Sequence, residues 1–446
     1  MLNRLKSAAR AQLVVTLAGL AALGAVFEAL RRLGNLKLYV VEAIALALAA
    51  GVIYIAALYA LEHTREHRVA FWLVLAGAVL FRALLAPLPP TLSTDINRYR
   101  WDGLVQQAGY NPYTVPPDDP RLEPLREKLG PGAWAGMPGH ETPTIYPPLT
   151  QLVFRLTWRW LPGPVAFKLP FLLADLLVVL MLAGWVRATG GRACQVAIYA
   201  WNPLVVVEFA ASGHNDALAI AGVVAAVVII RRSQVVSTWL LTAAALAKAF
   251  PAVLLPLWLR RAGWPRARGW LIGLGAIGLA AICAWPYRGA WPRVLDVLTY
   301  YESRWQNNNA SLYTLIGWFT QSTAVAAGVG VGVVGGLALW AAARRLEPAR
   351  AAYLLIGATL LLAPNGYSWY FTWIVPVLCF LPELRTASAW LLLTVLQFLS
   401  YNVLIDFQAT GRWHFDPVLQ WLTYGPFFAL LIGQGILRRR AKENGY

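Results

Sequence analysis

Asp95, Arg98 and Asp102 recur at i, i+3 and i+7 within STDINRYRWDG (93–103), the spacing of one helix face. A carboxylate held there can take a proton from a hydroxyl group. The same spacing also fits a plain helix start, with Ser93 or Thr94 as the cap, acid in the first turn and Arg98 paired with an aspartate. The placement gives the stretch its interest, because it directly follows an apolar run that ends in APLPP (86–90). It is charge set at the rim of a hydrophobic segment.

The elements that must position these residues are transmembrane helices. The chain has 446 residues, of which 59% are apolar and 13% charged, about half the roughly 25% charged share of a soluble domain. Its long apolar runs are continuous rather than alternating, which excludes a β-barrel and gives a polytopic all-α bundle. The net charge of +17 does not point to nucleic acid. The basic residues fall in short clusters between apolar runs, such as Arg231-Arg232, Arg260-Arg261 and Arg438 to Arg440. That is the positive-inside pattern of a cytoplasmic membrane protein in contact with anionic lipid. The first apolar stretch, about 11–30, is long enough to span and reads as an uncleaved helix. Cys194, Cys283 and Cys379 all lie in apolar runs, so no disulfide is expected.

About twelve spans are expected in one integral membrane domain, 1–446, with both termini inside. They fall near 12–30, 38–61, 69–86, 164–186, 193–212, 215–230, 269–286, 322–343, 351–364, 368–381, 387–405 and 418–437. Residues 87–147 form the first large outer loop, with interfacial helices carrying Asp95. The basic connector RRLGNLK (31–37) is the exception to the charge rule, since it falls outside. Residues 233–259 carry arginines at both ends and read as a re-entrant or short-helix hairpin. Its turn lies at AKAFP (247–251), and Lys248 sits at the tip inside the bundle. Gly328, Gly332 and Gly336 recur at four-residue spacing, which predicts close helix packing.

Further polar stretches converge on the outer face: TIYPPL (144–149), SGHNDAL (212–218), WQNNNASLY (305–313), LAPNGYSWYF (362–371) and TGRWHFDP (410–417). Two scattered loop histidines, His214 and His414, do not make a metal site, and none is expected. Asp175, Glu208, Lys168 and Lys248 are ionisable groups within spans, which are functional candidates by default. Lys168 and Glu208 lie near span ends, where snorkelling accounts for them. Asp175 and Lys248 are deep and are expected to neutralise one another.

The order of these motifs resembles the polytopic GT-C glycosyltransferases that use polyprenyl-phosphate sugars. The resemblance is to family 87 and to the lipomannan and phosphatidylinositol-mannoside mannosyltransferases. It is carried by Asp95, Tyr146-Pro147-Pro148, Gly213-His214-Asn215-Asp216, Lys248 with Pro251, Asn308-Asn309-Ala310-Ser311, and Ala363-Pro364 with Trp369. RYRWDG followed by GYNPY (109–113) looks like the α-mannosyltransferase group, and the resemblance covers most of residues 80–385. Relatives can carry histidines where this chain has Trp369-Tyr370, so phosphate contacts there must come from other side chains.

The resemblance implies an inverting transfer of a sugar, mannose by preference, from a polyprenyl-phosphate donor to a glycan or glycolipid hydroxyl on the extracytoplasmic face. Asp95 would be the catalytic base. Substrate contacts would come from Arg98, Asp102, Tyr146, His214, Asn215, Asp216, Asn308, Asn309, Trp369 and Tyr370, with Lys248 and Arg304 meeting the leaving phosphate. No cofactor beyond the lipid-linked donor is implied. Two other classes fit the bare pattern. A transporter or lipid flippase needs midplane charges and repeated halves, and a non-catalytic envelope subunit would keep the fold without needing Asp95.

Overall fold

The computed structural model describes residues 2–64, 66–293, 311–381 and 383–443. Arg304, Asn308 and Asn309 lie outside them. The described residues form helices and no strands. Seven helices are long and apolar enough to cross a membrane: Arg10–Leu33, Val40–His63, Arg68–Leu85, Ala166–Thr189, Ala267–Ala290, Thr323–Ala343 and Leu384–Thr410. Their outer faces leave large apolar side chains uncovered, Leu271, Leu274, Ile277 and Ile282 on one helix alone, as lipid contact requires. The protein is a polytopic membrane bundle.

The remaining expected spans are not plain crossings. Ala193–Ala200 and Pro203–Ser212 form one helix pair bent by 46°. The break has a local cause: Asn202 caps the new helix by accepting from Val205 N at 3.2 Å, and Pro203 occupies its first position. Asp216–Ile229, Gln234–Ala247, Pro348–Leu362 and Ser368–Leu378 are shorter apolar helices, and the last helix, Pro417–Glu443, carries Pro426 inside it. Short and broken elements of this kind are tolerated at membrane depth where protein surrounds them, and the bent pair, Asp216–Ile229, the tip after Gln234–Ala247 and Ser368–Leu378 meet near Asp95.

The hairpin is present. Gln234–Ala247 is capped by Ser233, whose hydroxyl accepts from Val236 N. The backbone then turns extended at Lys248 (φ −150°, ψ 131°), and a 3-10 turn over Phe250–Leu254 leads into the return arm Leu255–Ala262. Trp258 Nε1 donates to Ser237 Oγ at 2.7 Å, pinning one arm to the other. The first arm runs antiparallel to Asp216–Ile229, and Gly222 allows the approach, since a Cβ there would sit 2.8 Å from Ala244 Cβ. Each of these helices has 14 residues, or about 21 Å, short of the ~30 Å hydrocarbon thickness. The tip of the hairpin and the start of its neighbour end at one level, where Lys248 meets Asp216.

Residues 95–147 carry a small core of their own, in which Trp101, Leu104 and Val105 pack against Val115, Leu122, Leu125, Leu129 and Met137. The helix Asp95–Gln107 crosses Pro148–Trp160 so closely at Gly103 that a Cβ would lie 2.5 Å from the Phe154 carbonyl.

Three expectations need correction. Asp175 does not pair with Lys248. It binds Arg82 through Nε at 2.5 Å and Nη2 at 3.1 Å, and accepts from Tyr199 Oη at 2.8 Å. Lys168 and Glu208 do not snorkel, being only 2% and 0% exposed. Gly328, Gly332 and Gly336 face open space; the packed stripe is Ala326, Gly330, Val334 and Ala338, with Gly330 against the Leu362 carbonyl.

Candidate active site

Asp95 is the first residue of its helix, with its backbone N–H facing Ser93 Oγ at 3.4 Å. Its carboxylate is about a quarter exposed and lies 3.9 Å from His214 Nδ1. Burial pushes the Asp95 carboxyl above its ordinary value of 3.8. The His214 ring and the Lys248 ammonium pull it back, while Asp216 and Glu208 add to the rise.

The broken span supplies the next layer. Its last turn, Val207–Ser212, is π-helical, a wide turn that occurs often at functional sites. The Glu208 carbonyl accepts from both Gly213 N and His214 N, and Gly213 takes a left-handed conformation at φ +76° to close the turn. Lys168 braces it: its ammonium donates to the carbonyls of Leu88, Ala210 and Ala211 at 2.7, 2.9 and 3.1 Å. This geometry folds the Glu208 side chain back towards His214, with Oε2 3.3 Å from Nε2. The other oxygen, Oε1, accepts from Ser368 Oγ at 2.9 Å and Tyr401 Oη at 2.5 Å. The His214 ring stacks on Trp369 at 4.3 Å, and Trp369 stacks in turn on Tyr367 at 4.5 Å.

Lys248 reaches across from the hairpin tip. Its ammonium lies 3.0 Å from Asp216 Oδ2 and 5.2 Å from the centre of the Tyr370 ring. Asp216 Oδ1 accepts from Trp373 Nε1 at 2.8 Å. The YPP segment meets the same tip: Thr150 Oγ1 donates to the Ala247 carbonyl at 2.6 Å, and Tyr146 sets its edge against Tyr99, whose ring neighbours Asp95. Asp95, Tyr146, His214, Asn215, Asp216, Lys248, Trp369 and Tyr370 thus come to one place from five separate stretches of chain.

Arg98 and Asp102 have other partners. Arg98 binds Asp102 at 3.0 Å and donates to the carbonyls of Gly139 and Thr142. Asp102 also accepts from Thr144 Oγ1 at 2.6 Å and Gln151 Nε2 at 2.7 Å, and is 1% exposed. The two residues clamp the end of the outer loop to the helix that presents Asp95. Sequence reasoning placed Glu208 among the ionisable groups in spans but left it out of the site, and it did not single out Ser368, Trp373 or Tyr401. Spacing carries no sign of these partners, which lie 157 to 193 residues away in sequence from those they bind.

The distribution of unmade hydrogen bonds marks this cluster out. Glu208 Oε2, Ser212 Oγ, both nitrogens of His214 and both amide atoms of Asn215 are buried with no hydrogen-bond partner among the described residues. Buried polar groups are almost always paired, and those that are not call for a ligand or a catalytic role. Such a concentration at the foot of a partly exposed carboxylate is what a site for a polar, hydroxyl-rich substrate needs.

Fold and cluster together describe a polytopic membrane protein with a partly open polar site. Residues 8–262 match the MptA/B family, described as "Alpha-(1->6)-mannopyranosyltransferase, N-terminal domain". That is more than half of the chain, which belongs to this family and is a glycosyltransferase, with a sugar donor and a glycan acceptor. The matched region holds the Asp95 helix, the 212–216 turn and the hairpin tip. No curated protein and no solved structure matches the chain.

Proposed function

We propose that the protein transfers mannose from a polyprenyl-phosphate donor to a hydroxyl of a glycan or glycolipid, with inversion, on the extracytoplasmic side of the cytoplasmic membrane. The observation that carries this reading is Asp95, a partly exposed carboxylate above buried polar groups, with the Lys248 ammonium close enough to lower its proton affinity. Asp95 takes the proton as the acceptor O–H bond breaks. The acceptor oxygen forms its bond to the anomeric carbon while the bond from that carbon to phosphate oxygen breaks, and the electron pair leaves on the lipid phosphate. Lys248 meets the growing negative charge. Direct displacement inverts the anomeric carbon, so an alpha product calls for a beta-linked donor phosphate.

A lipid donor is supported by a shallow apolar groove beside the cluster, lined by Leu36, Ala43, Leu85, Leu92, Val207 and Tyr401 among others. Val207 precedes Glu208, Leu92 lies three residues before Asp95, and the Tyr401 hydroxyl donates to Glu208. An isoprenoid chain in the groove would bring its phosphate to the polar cluster. The extracytoplasmic side is supported by the basic connectors, such as Arg231-Arg232, at the opposite ends of the helices.

Purified protein given radiolabelled mannose on polyprenyl phosphate should label an oligomannoside acceptor, and a nucleotide-linked mannose should not. Transfer from the nucleotide donor alone would remove the lipid-donor reading. In intact cells, an impermeant thiol reagent should label Asp118→Cys and not Arg232→Cys; the reverse would place the site on the inner face.

A further inference from the structure

Three ionisable side chains lie in a row that ends at the proposed base: Glu208 Oε2 is 3.3 Å from His214 Nε2, and His214 Nδ1 is 3.9 Å from Asp95 Oδ2. Both ring nitrogens and Glu208 Oε2 are buried without hydrogen bonds. Every other constraint on the row is in place. Ser368 and Tyr401 hold Glu208 Oε1, and Trp369 lies flat against the imidazole. Among the described residues, and apart from Asp95 and Glu208, the charged groups near His214 have partners of their own: Lys168 on three carbonyls, Lys248 on Asp216. The two ring nitrogens therefore face one carboxylate each.

We propose that Glu208, His214 and Asp95 form a proton relay, in which Glu208 is a positioning residue that orients the imidazole to draw off the proton Asp95 takes from the acceptor. The relay rests on the reading of Asp95 as the base. With Nε2–H directed at Glu208, the lone pair of Nδ1 faces Asp95. The acceptor O–H bond breaks and its proton moves to Asp95. It then passes to Nδ1, and the imidazolium lies between two carboxylates. Asp95 is a carboxylate again, no electrons change hands and no co-reactant is needed. The 3.9 Å gap has to close by about 1 Å, a looseness common in catalytic hydrogen bonds before substrate binds. The partly exposed Asp95 side chain is free to make that adjustment.

Three variants of the full-length protein test this: Glu208→Gln, His214→Ala and the double variant. Glu208→Gln should lower kcat on the order of 10²-fold, the low end of general acid–base effects, with KM little changed. The acid limb of its kcat profile should move to lower pH, because loss of the Glu208 charge makes Asp95 hold its proton less tightly. His214→Ala should lose a similar factor, free imidazole should restore part of it, and the restoration should vanish in the double variant. A merely structural Glu208 would lower the melting temperature and cost an independent factor in the double variant, and imidazole would restore activity there as fully as in His214→Ala. Should Glu208→Gln fail to fold, imidazole on His214→Ala decides the matter, and no restoration overturns the relay. If Asp95→Asn is inactive while Glu208→Gln matches wild type, only the relay falls. If Asp95→Asn stays active, the reading of the site falls with it.

Discussion

Two clusters of buried charge in this bundle have opposite character. Around Arg82 and Asp175 every contact is made: the guanidinium grips the carboxylate with two hydrogen bonds and uses Nη1 on the carbonyls of Ala78 and Ala200, while Tyr199 completes the carboxylate. Both residues are sealed, at 1% and 0% exposure. Ala200 is the last residue before the bent span breaks, so the pair ties three helices together at the break. Around Glu208 and His214, a short way along the same bent span, contacts are left open and the row leads to a partly exposed Asp95. A satisfied ionic network fixes geometry, whereas an unsatisfied one costs stability and is kept for a ligand or a reaction. Burial of charge alone does not distinguish the two, as the Arg82–Asp175 pair would have passed any test for an intramembrane functional residue.

The contrast can be broken from the structural side first. Arg82→Met or Asp175→Asn should each cost about 3–5 kcal/mol, the usual result of stranding one partner of a buried pair, and thermal unfolding in detergent would read the loss. The surviving folded fraction should keep its turnover, and a fall in kcat at full occupancy would move this pair into the reaction. Next in size is Lys248→Met, expected to reduce kcat about 10²–10³-fold, as removal of one group stabilising the transition state does. Because the partner of Lys248 is Asp216, the loss should persist when Asp216 is already Asn. Recovery of turnover in that double variant would make Lys248–Asp216 a structural pair like the other.

A smaller effect concerns pH. The raised proton affinity of Asp95 means that the base is lost at a pH above the ordinary carboxylate value of 3.8, so the acid limb of kcat/KM should lie on the high side of it. The linked stability runs the other way. The folded state binds this proton more tightly than the unfolded chain, so the stability contribution is full below 3.8 and declines as pH rises through the raised value. Asp95→Asn should abolish this decline, and an unaltered pH–stability curve would contradict it. Smallest of all, Trp369→Leu removes two stacked pairs, with His214 and with Tyr367, each worth about 0.5–1.5 kcal/mol, and should show as a few-fold loss of kcat with the fold intact.

The place of Asp95 at the head of a helix was legible in the sequence because its signal is local, an acid at the exit of an apolar run. The hairpin was legible for a similar reason, arginines at both ends and a proline at the turn. The partners were not. Deep Asp175 was the natural counter-charge for Lys248, yet Arg82, near the end of the third span, takes it, because the broken helix brings the Ala200 carbonyl and Tyr199 to the same point. Arg98 and Asp102 share a helix face with Asp95, but the loop that returns through Thr142, Thr144 and Gln151 takes up their hydrogen bonds. Glu208 reads in the sequence only as an ionisable group near a span end, because its partners depend on a π-turn and on residues more than 150 positions away. Apolar length alone could not separate full crossings from short helices such as Asp216–Ile229, since both are continuous apolar runs. The glycine spacing at 328, 332 and 336 was real, but the helix turns a neighbouring stripe to its partner.

The most direct test sets Asp95 against Asp102 in one assay. Both are aspartates of the same short helix, one facing open polar groups and the other clamped by Arg98, Thr144 and Gln151. Mannosyl transfer and melting temperature would be measured on purified Asp95→Asn and Asp102→Asn. Asp95→Asn should lose about 10²–10⁴-fold in kcat, the contribution of a general base, and melt no lower than wild type. Asp102→Asn should melt lower and retain its turnover while folded. Near-normal transfer by Asp95→Asn, or loss of chemistry without loss of stability in Asp102→Asn, would contradict the assignment of the base.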